Sequence, residues 1–111
     1  MARSKPKLTV LVAPEAAAEL SDIWCWNAER YSPEHADLYV DFLKQIILGL
    51  DRAYSNGKSV TTRPDLRYVL VRRKPKGYGH LVVYRAGEKT VDVLHVFHTA
   101  QDWQTMLIDE G

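Results

Sequence analysis

The chain has 111 residues, 46% of them hydrophobic, with 15 Lys and Arg against 14 Asp and Glu. That length holds one domain with a real core and excludes two. A formal net charge of +1 singles out no nucleic-acid or membrane partner, so only the distribution of charge is informative.

The opening MARSKPKLTV starts basic but meets charged and polar residues before an adequate apolar segment forms. No signal peptide fits, and no run approaches the ~18 apolar residues of a membrane span, so the cytoplasm is the expected location. Residues 1–7 read as a flexible arm. Leu8 to Val12 reads as a short apolar strand stopped by Pro14, a residue suited to the first turn of a helix. From Pro14 to about Tyr31, the residues Ala17, Leu20, Ile23 or Trp24, Asn27 and Tyr31 recur at helical spacing. Glu15 and Glu19 sit near the favourable N-terminal end. Cys25, the single cysteine, excludes an intrachain disulfide and reads as a core thiol of a reducing compartment. Trp24 and Trp26 fall about 200° apart on a helix, so one of them is expected at the surface.

A second helix start follows at once, with Ser32 as N-cap, Pro33 at the first helical position and Glu34 in the first turn. Its apolar set is Ala36, Tyr39/Val40, Leu43, Ile46/Ile47, Leu50 and Ala53/Tyr54, closed by Ser55-Asn56-Gly57 with Gly57 read as the terminating glycine. So tight a break predicts an antiparallel helical hairpin. Residues 58–65 read as connection. The period then changes from 3.6 to 2, which predicts strands over Leu66–Arg73, His80–Arg85 and Thr90–His98. In the last of these, Val91, Val93, His95 and Phe97 are expected on one face and Asp92, Leu94, Val96 and His98 on the other. The segment after His98 reads as a short helix carrying Trp103, Met106, Leu107 and Ile108, with Thr99 as a possible cap. The predicted fold class is α+β: a small, mainly antiparallel sheet with the helical hairpin on one face. The element order is β-α-α-β-β-β plus a short C-terminal helix.

No metal-ligand spacing, dinucleotide loop or phosphate loop occurs, so neither a metal nor a cofactor is expected. Asp37 and Asp41 read as solvent-facing. The feature with functional weight is the stretch from Lys58 to Lys76, which holds seven cations (Lys58, Arg63, Arg67, Arg72, Arg73, Lys74 and Lys76) against Asp65 alone. Arginines on a sheet hold phosphates or meet acidic side chains of a partner. Arg67, Arg72 and Arg73, with Trp26 and Trp103, are therefore the candidate partner-binding residues. His98 and Asp102, four apart across the last strand-to-helix junction, read as a motif fixing the turn.

The order strand, helix hairpin, meander resembles the RelE/ParE superfamily of toxins from type II toxin–antitoxin pairs. The resemblance is carried by LTVLVAPEAAAELSDIW, RPDLRYVLVRR, HLVVYR and above all VDVLHVFHTAQDW, which looks like the ParE branch. It implies a cognate antitoxin as partner and the first strand lying beside Thr90–His98. It also implies one of two activities. ParE-like members are taken to inhibit DNA gyrase without a nuclease site. RelE-like members enter the ribosome and cut mRNA with basic side chains and an acid–base group, for which Arg72, Arg85 and His98 are the matching candidates. No Tyr follows His98, where the aromatic is Trp103, so gyrase inhibition is the expectation and mRNA cleavage the alternative. A third reading, from a different class, is a non-toxic RNA-binding or protein-interaction module built on the Lys58–Lys76 patch.

Overall fold

The computed structural model describes residues 6–72 and 79–109. Their elements are β1 (Thr9–Val12), α1 (Pro14–Arg30), α2 (Pro33–Ala53), β2 (Lys58–Val60), β3 (Arg63–Val71), β4 (His80–Ala86), β5 (Thr90–His98) and α3 (Trp103–Asp109). One five-stranded sheet runs in the order β1-β5-β4-β3-β2. β1 lies parallel to β5, and the remaining pairs are antiparallel. The α+β class, the hairpin and the place of the first strand are as the sequence implies. Arg73, the turn 74–77 and residues 1–5 of the expected arm lie outside the described residues. Lys7 of that arm pairs with Asp51 at 3.7 Å, and the Pro6 carbonyl accepts the Tyr54 hydroxyl at 2.9 Å.

The helices begin where local chemistry starts them. Pro14 and Pro33 occupy first helical positions, and the Ser32 hydroxyl accepts the His35 N–H at 3.0 Å. Ser32→Ala should therefore cost about 1 kcal/mol of stability, read as a lower urea midpoint; an unchanged midpoint would show that the cap contributes nothing. α2 buries Ala36, Val40, Leu43, Ile47 and Leu50, the expected stripe. α1 buries Ala16, Leu20 and Asn27, so its inner face keeps the Leu20 and Asn27 positions read from spacing but takes Ala16 in place of exposed Ala17. Tyr31 belongs to the break between the helices and is exposed. Cys25 is exposed as well, which corrects the reading of a core thiol: it lies off the Leu20–Asn27 stripe.

The sheet is covered on both sides. Under the hairpin, Leu20, Leu43, Ile47 and Leu50 meet Val82, Tyr84, Val91, Val93 and Val96. On the opposite face, Leu107 of α3 closes a smaller core with Val60, Leu66, Leu81, Val83 and Phe97. Each large aliphatic side chain so buried is worth ~1.5–3 kcal/mol. Two strand readings change. Lys58–Val60 is a strand rather than connection, and it pairs with a β3 that starts at Arg63. In β5 the alternation expected from sequence is broken: Val83 pairs with His95 but Tyr84 with Val93, leaving Leu94 as an extra residue. That bulge moves Val96 onto the face of Val91 and Val93, while Leu94 and Phe97 join the other core.

β5 outruns its parallel neighbour, because the chain leaves β1 for α1 at Ala13. Glu19 of α1 takes over the vacated edge. Its carboxylate accepts the Val96 N–H at 2.9 Å and lies 3.2 Å from Nδ1 of His95, whose ring stacks on Phe97. An acid read from sequence as a helix-dipole partner thus binds a strand 77 positions away.

Candidate functional site

Strand register brings Val71, His80 and His98 side by side at one end of the sheet. The His80 and His98 rings meet edge to face with centroids 5.1 Å apart. Tyr39 reaches down from α2, its hydroxyl 2.5 Å from His80 Nδ1. The following turn is fixed from several directions. Gly79 N–H donates to the Thr99 hydroxyl at 3.1 Å, Thr99 N–H to the Gly79 carbonyl at 3.0 Å, and His98 N–H to Gln101 Oε1 at 2.7 Å. Nδ1 of His98 accepts the Ala100 N–H at 3.0 Å, which puts the proton of its neutral ring on Nε2. Thr99 thus closes the β3–β4 side of the turn rather than capping α3. Exposed Arg72 follows Val71 at the same sheet end; any side chain at Gly79 would run into its Cγ and the Val71 carbonyl.

Burial, and then the neighbouring His98, push the His80 imidazole down to about 4. His80 is therefore neutral at physiological pH. It accepts or donates one hydrogen bond there but carries no charge for a phosphate, and it is far from the pKa that suits general acid–base work near pH 7.

Arg85 stands elsewhere. It lies five residues beyond His80 on β4, about 17 Å along the strand, opposite Asp92 in register. Its guanidinium is 3.8 Å from Asp65, which Arg63 also holds at 3.2 Å. The Arg63 hydrogen bonds keep the Asp65 carboxyl below its usual range. Arg63 also donates to the Leu107 carbonyl at 3.3 Å, tying α3 to the start of β3. Of the three residues matched to mRNA cleavage, Arg72 and His98 share one end of the sheet and Arg85 lies at the other.

The candidate partner-binding residues are dispersed. Arg67 is half-buried and donates to the Gly57 carbonyl at 2.9 Å, clamping the α2–β2 connection. Trp103 packs on Tyr68, ring centroids 5.0 Å apart, on the α3 side of the sheet. Trp26 projects from α1 and is the exposed member of its pair, while Trp24 donates its indole N–H to Asp37 at 2.8 Å. Asp102 lies just before α3, where its carbonyl accepts the Met106 N–H at 3.2 Å. His80 and Tyr39 were not singled out from sequence. The available signal was a histidine opening the strand HLVVYR, but nothing local places it beside His98.

The family model for the ParE toxin of the type II toxin–antitoxin system parDE matches residues 10–103. Toxin ParE1 of Mycobacterium tuberculosis, found in two strains, is 31% identical over 93 residues, covering 83% of this chain and 90% of the relative. A structure of the chromosomal ParDE system from P. aeruginosa superposes with a TM-score of 0.71 at 19% identity, over 84% of this chain and 97% of that one. That likeness is one of fold. No helix among the described residues is long and apolar enough to cross a membrane. With the matched region running from β1 to the first residue of α3, this chain belongs to the ParE toxin family of type II toxin–antitoxin systems.

Proposed function

We propose that this toxin inhibits growth by binding DNA gyrase and holding it on DNA, and that a cognate antitoxin encoded beside it neutralises it. The observation supporting binding over mRNA cleavage is the separation of Arg85, in its ion pair with Asp65, from Arg72 and His98. A nuclease needs its acid–base group and its charge-stabilising cations converging on one phosphate; Arg85 stands at the opposite end of the sheet from Arg72 and His98. Arg67, Arg72, Arg73, Trp26 and Trp103 serve this reading as partner contacts, with His98 and Asp102 fixing the last turn. The target and its antitoxin place the protein's work in the cytoplasm.

Contacts shared over a surface predict graded effects. Arg67→Ala, Arg72→Ala and Arg73→Ala should each reduce toxicity several-fold without abolishing it. His98→Ala and Arg85→Ala should leave most of it intact. Cleavage would instead make one of Arg72, Arg85 or His98 all-or-none, since loss of proton transfer alone removes ~10²–10⁴-fold of rate. The deciding experiment is induction of the toxin with two readouts, gyrase cleavage-complex formation and primer extension on cellular mRNA. Codon-phased mRNA ends without gyrase–DNA adducts would overturn the proposal. Co-expression with the neighbouring reading frame, followed by size exclusion, tests the antitoxin: one joint peak is expected, and two separate peaks without rescue of growth would count against it.

A further inference from the structure

The outer tip of the helical hairpin carries a feature that neither core uses. Trp26 is 54% exposed, Tyr31 59% and Leu38 64%. They form one strip across the break between the helices. The Arg30 guanidinium lies 5.3 Å over the Trp26 ring, Trp26 meets Tyr31 edge-on at 6.2 Å, and Tyr31 packs on His35 at 4.4 Å. Leu38 follows His35 by one helical turn on the same side. The strip has a local cause. α1 ends at Arg30, α2 restarts at Pro33, and Tyr31 between them belongs to neither buried stripe.

Its surroundings are acidic. From Leu8 to Leu43 the only cation is Arg30, already stacked on Trp26. Asp22, Glu29, Glu34, Asp37 and Asp41 are all exposed over the same stretch. Such a field repels the phosphates of nucleic acid and attracts cationic groups. Exposed Trp and Tyr faces take guanidinium and ammonium groups, as Arg30 itself demonstrates. The rings are held by one another before any partner arrives, so little side-chain freedom is lost on binding.

We propose that this tip is a docking surface for a cationic segment of a protein partner, with Arg or Lys seated on Trp26 and Tyr31 and an apolar residue on Leu38. The surface is separate from the basic sheet, and the proposal does not depend on gyrase being the target. The test is fluorescence anisotropy on the full chain with three labelled probes. These are a synthetic peptide alternating arginine and leucine, the same peptide with glutamate for arginine, and a single-stranded oligonucleotide. The arginine–leucine peptide should bind, and more weakly as salt rises. Trp26→Ala and Tyr31→Ala should each weaken it about tenfold, the size of effect expected of an anchoring aromatic. Glu29→Gln combined with Glu34→Gln should weaken it and flatten the salt dependence, whereas Leu48→Ala, at an exposed position farther along α2, should leave it unchanged. All five substituted positions are exposed, and thermal melts confirm that the variants stay folded. Wild-type affinity in both aromatic variants would overturn the proposal. So would an oligonucleotide or glutamate peptide whose binding is lost on Trp26→Ala.

Discussion

Gly57→Ala is expected to lower the stability of this toxin by about 3 kcal/mol, the cost of overpacking plus disturbed buried hydrogen bonds. A Cβ at Gly57 would come within 3.0 Å of three atoms of the Tyr84 phenol. That ring has nowhere to go. It is 0% exposed, its hydroxyl donates to the Tyr54 carbonyl at 2.6 Å, and the same oxygen accepts the Gly57 N–H at 3.1 Å. Its burial also raises the phenol pKa, so the hydroxyl keeps its proton. Tyr84→Phe alone strands the two backbone groups and should cost about 1–3 kcal/mol. In that background Gly57→Ala should cost markedly less than in wild type, because the closest clashing atom is gone; urea titration of the four proteins measures the coupling. Gly49→Ala is the internal comparison. Nothing lies within 4 Å of its would-be Cβ, so there the helix should gain roughly 0.5–1 kcal/mol. A Gly57→Ala protein as stable as wild type would refute the account of this junction.

Stability should also fall as pH drops from about 6.5 to 4, through His80. The folded protein holds this imidazole at about 4 against 6.5 in the free side chain. Between those values the unfolded chain binds a proton that the folded chain refuses, so acid favours unfolding. The contribution is complete above about 6.5 and lost by about 4. At 1.36 kcal/mol per pH unit, and discounted for partial solvent access, it amounts to about 2 kcal/mol. Tyr39 and His98 face the ring, and general protonation of carboxylates adds its own slope at the acid end. The measurement is therefore a difference: unfolding free energy of wild type minus His80→Gln at pH 7, 5.5 and 4. The difference should shrink by about 2 kcal/mol across the series, and a constant difference would rule the explanation out.

What the sequence discloses here follows the range of the forces involved. Pro14, Ser32 and Pro33 act within a turn of themselves, so both helix starts are legible from composition alone. The α2 stripe is legible too, because one wide apolar face admits a single rotation. Cys25 misleads because an apolar neighbourhood in a helix says nothing of which face a residue takes. Leu94 is unreadable for a different reason: a bulge is a property of a strand and its neighbour together. Once it is missed, Val96 and Phe97 go to the wrong sides. The site suffers most. Arg67 reads as surface charge yet clamps Gly57, and Arg85 reads as a companion of His98 yet lies a strand's length away. Both outcomes are set by register, which no local pattern encodes.

The parallel pairing of β1 with β5 has a consequence for when this toxin becomes itself. Thr9 pairs with Thr90 and Val12 with Val93, so the first strand made must wait for the last. The hairpin can coil as soon as it leaves the ribosome, and β3 and β4 are close neighbours in sequence. The strand that joins β1 to the rest of the sheet, and that Glu19 of α1 must grip, arrives with only the final segment of the chain. Closing so long a loop is the slow kind of step in folding. A nascent chain that stops short of β5 has no seat for β1, and the second core waits further for Leu107 of α3.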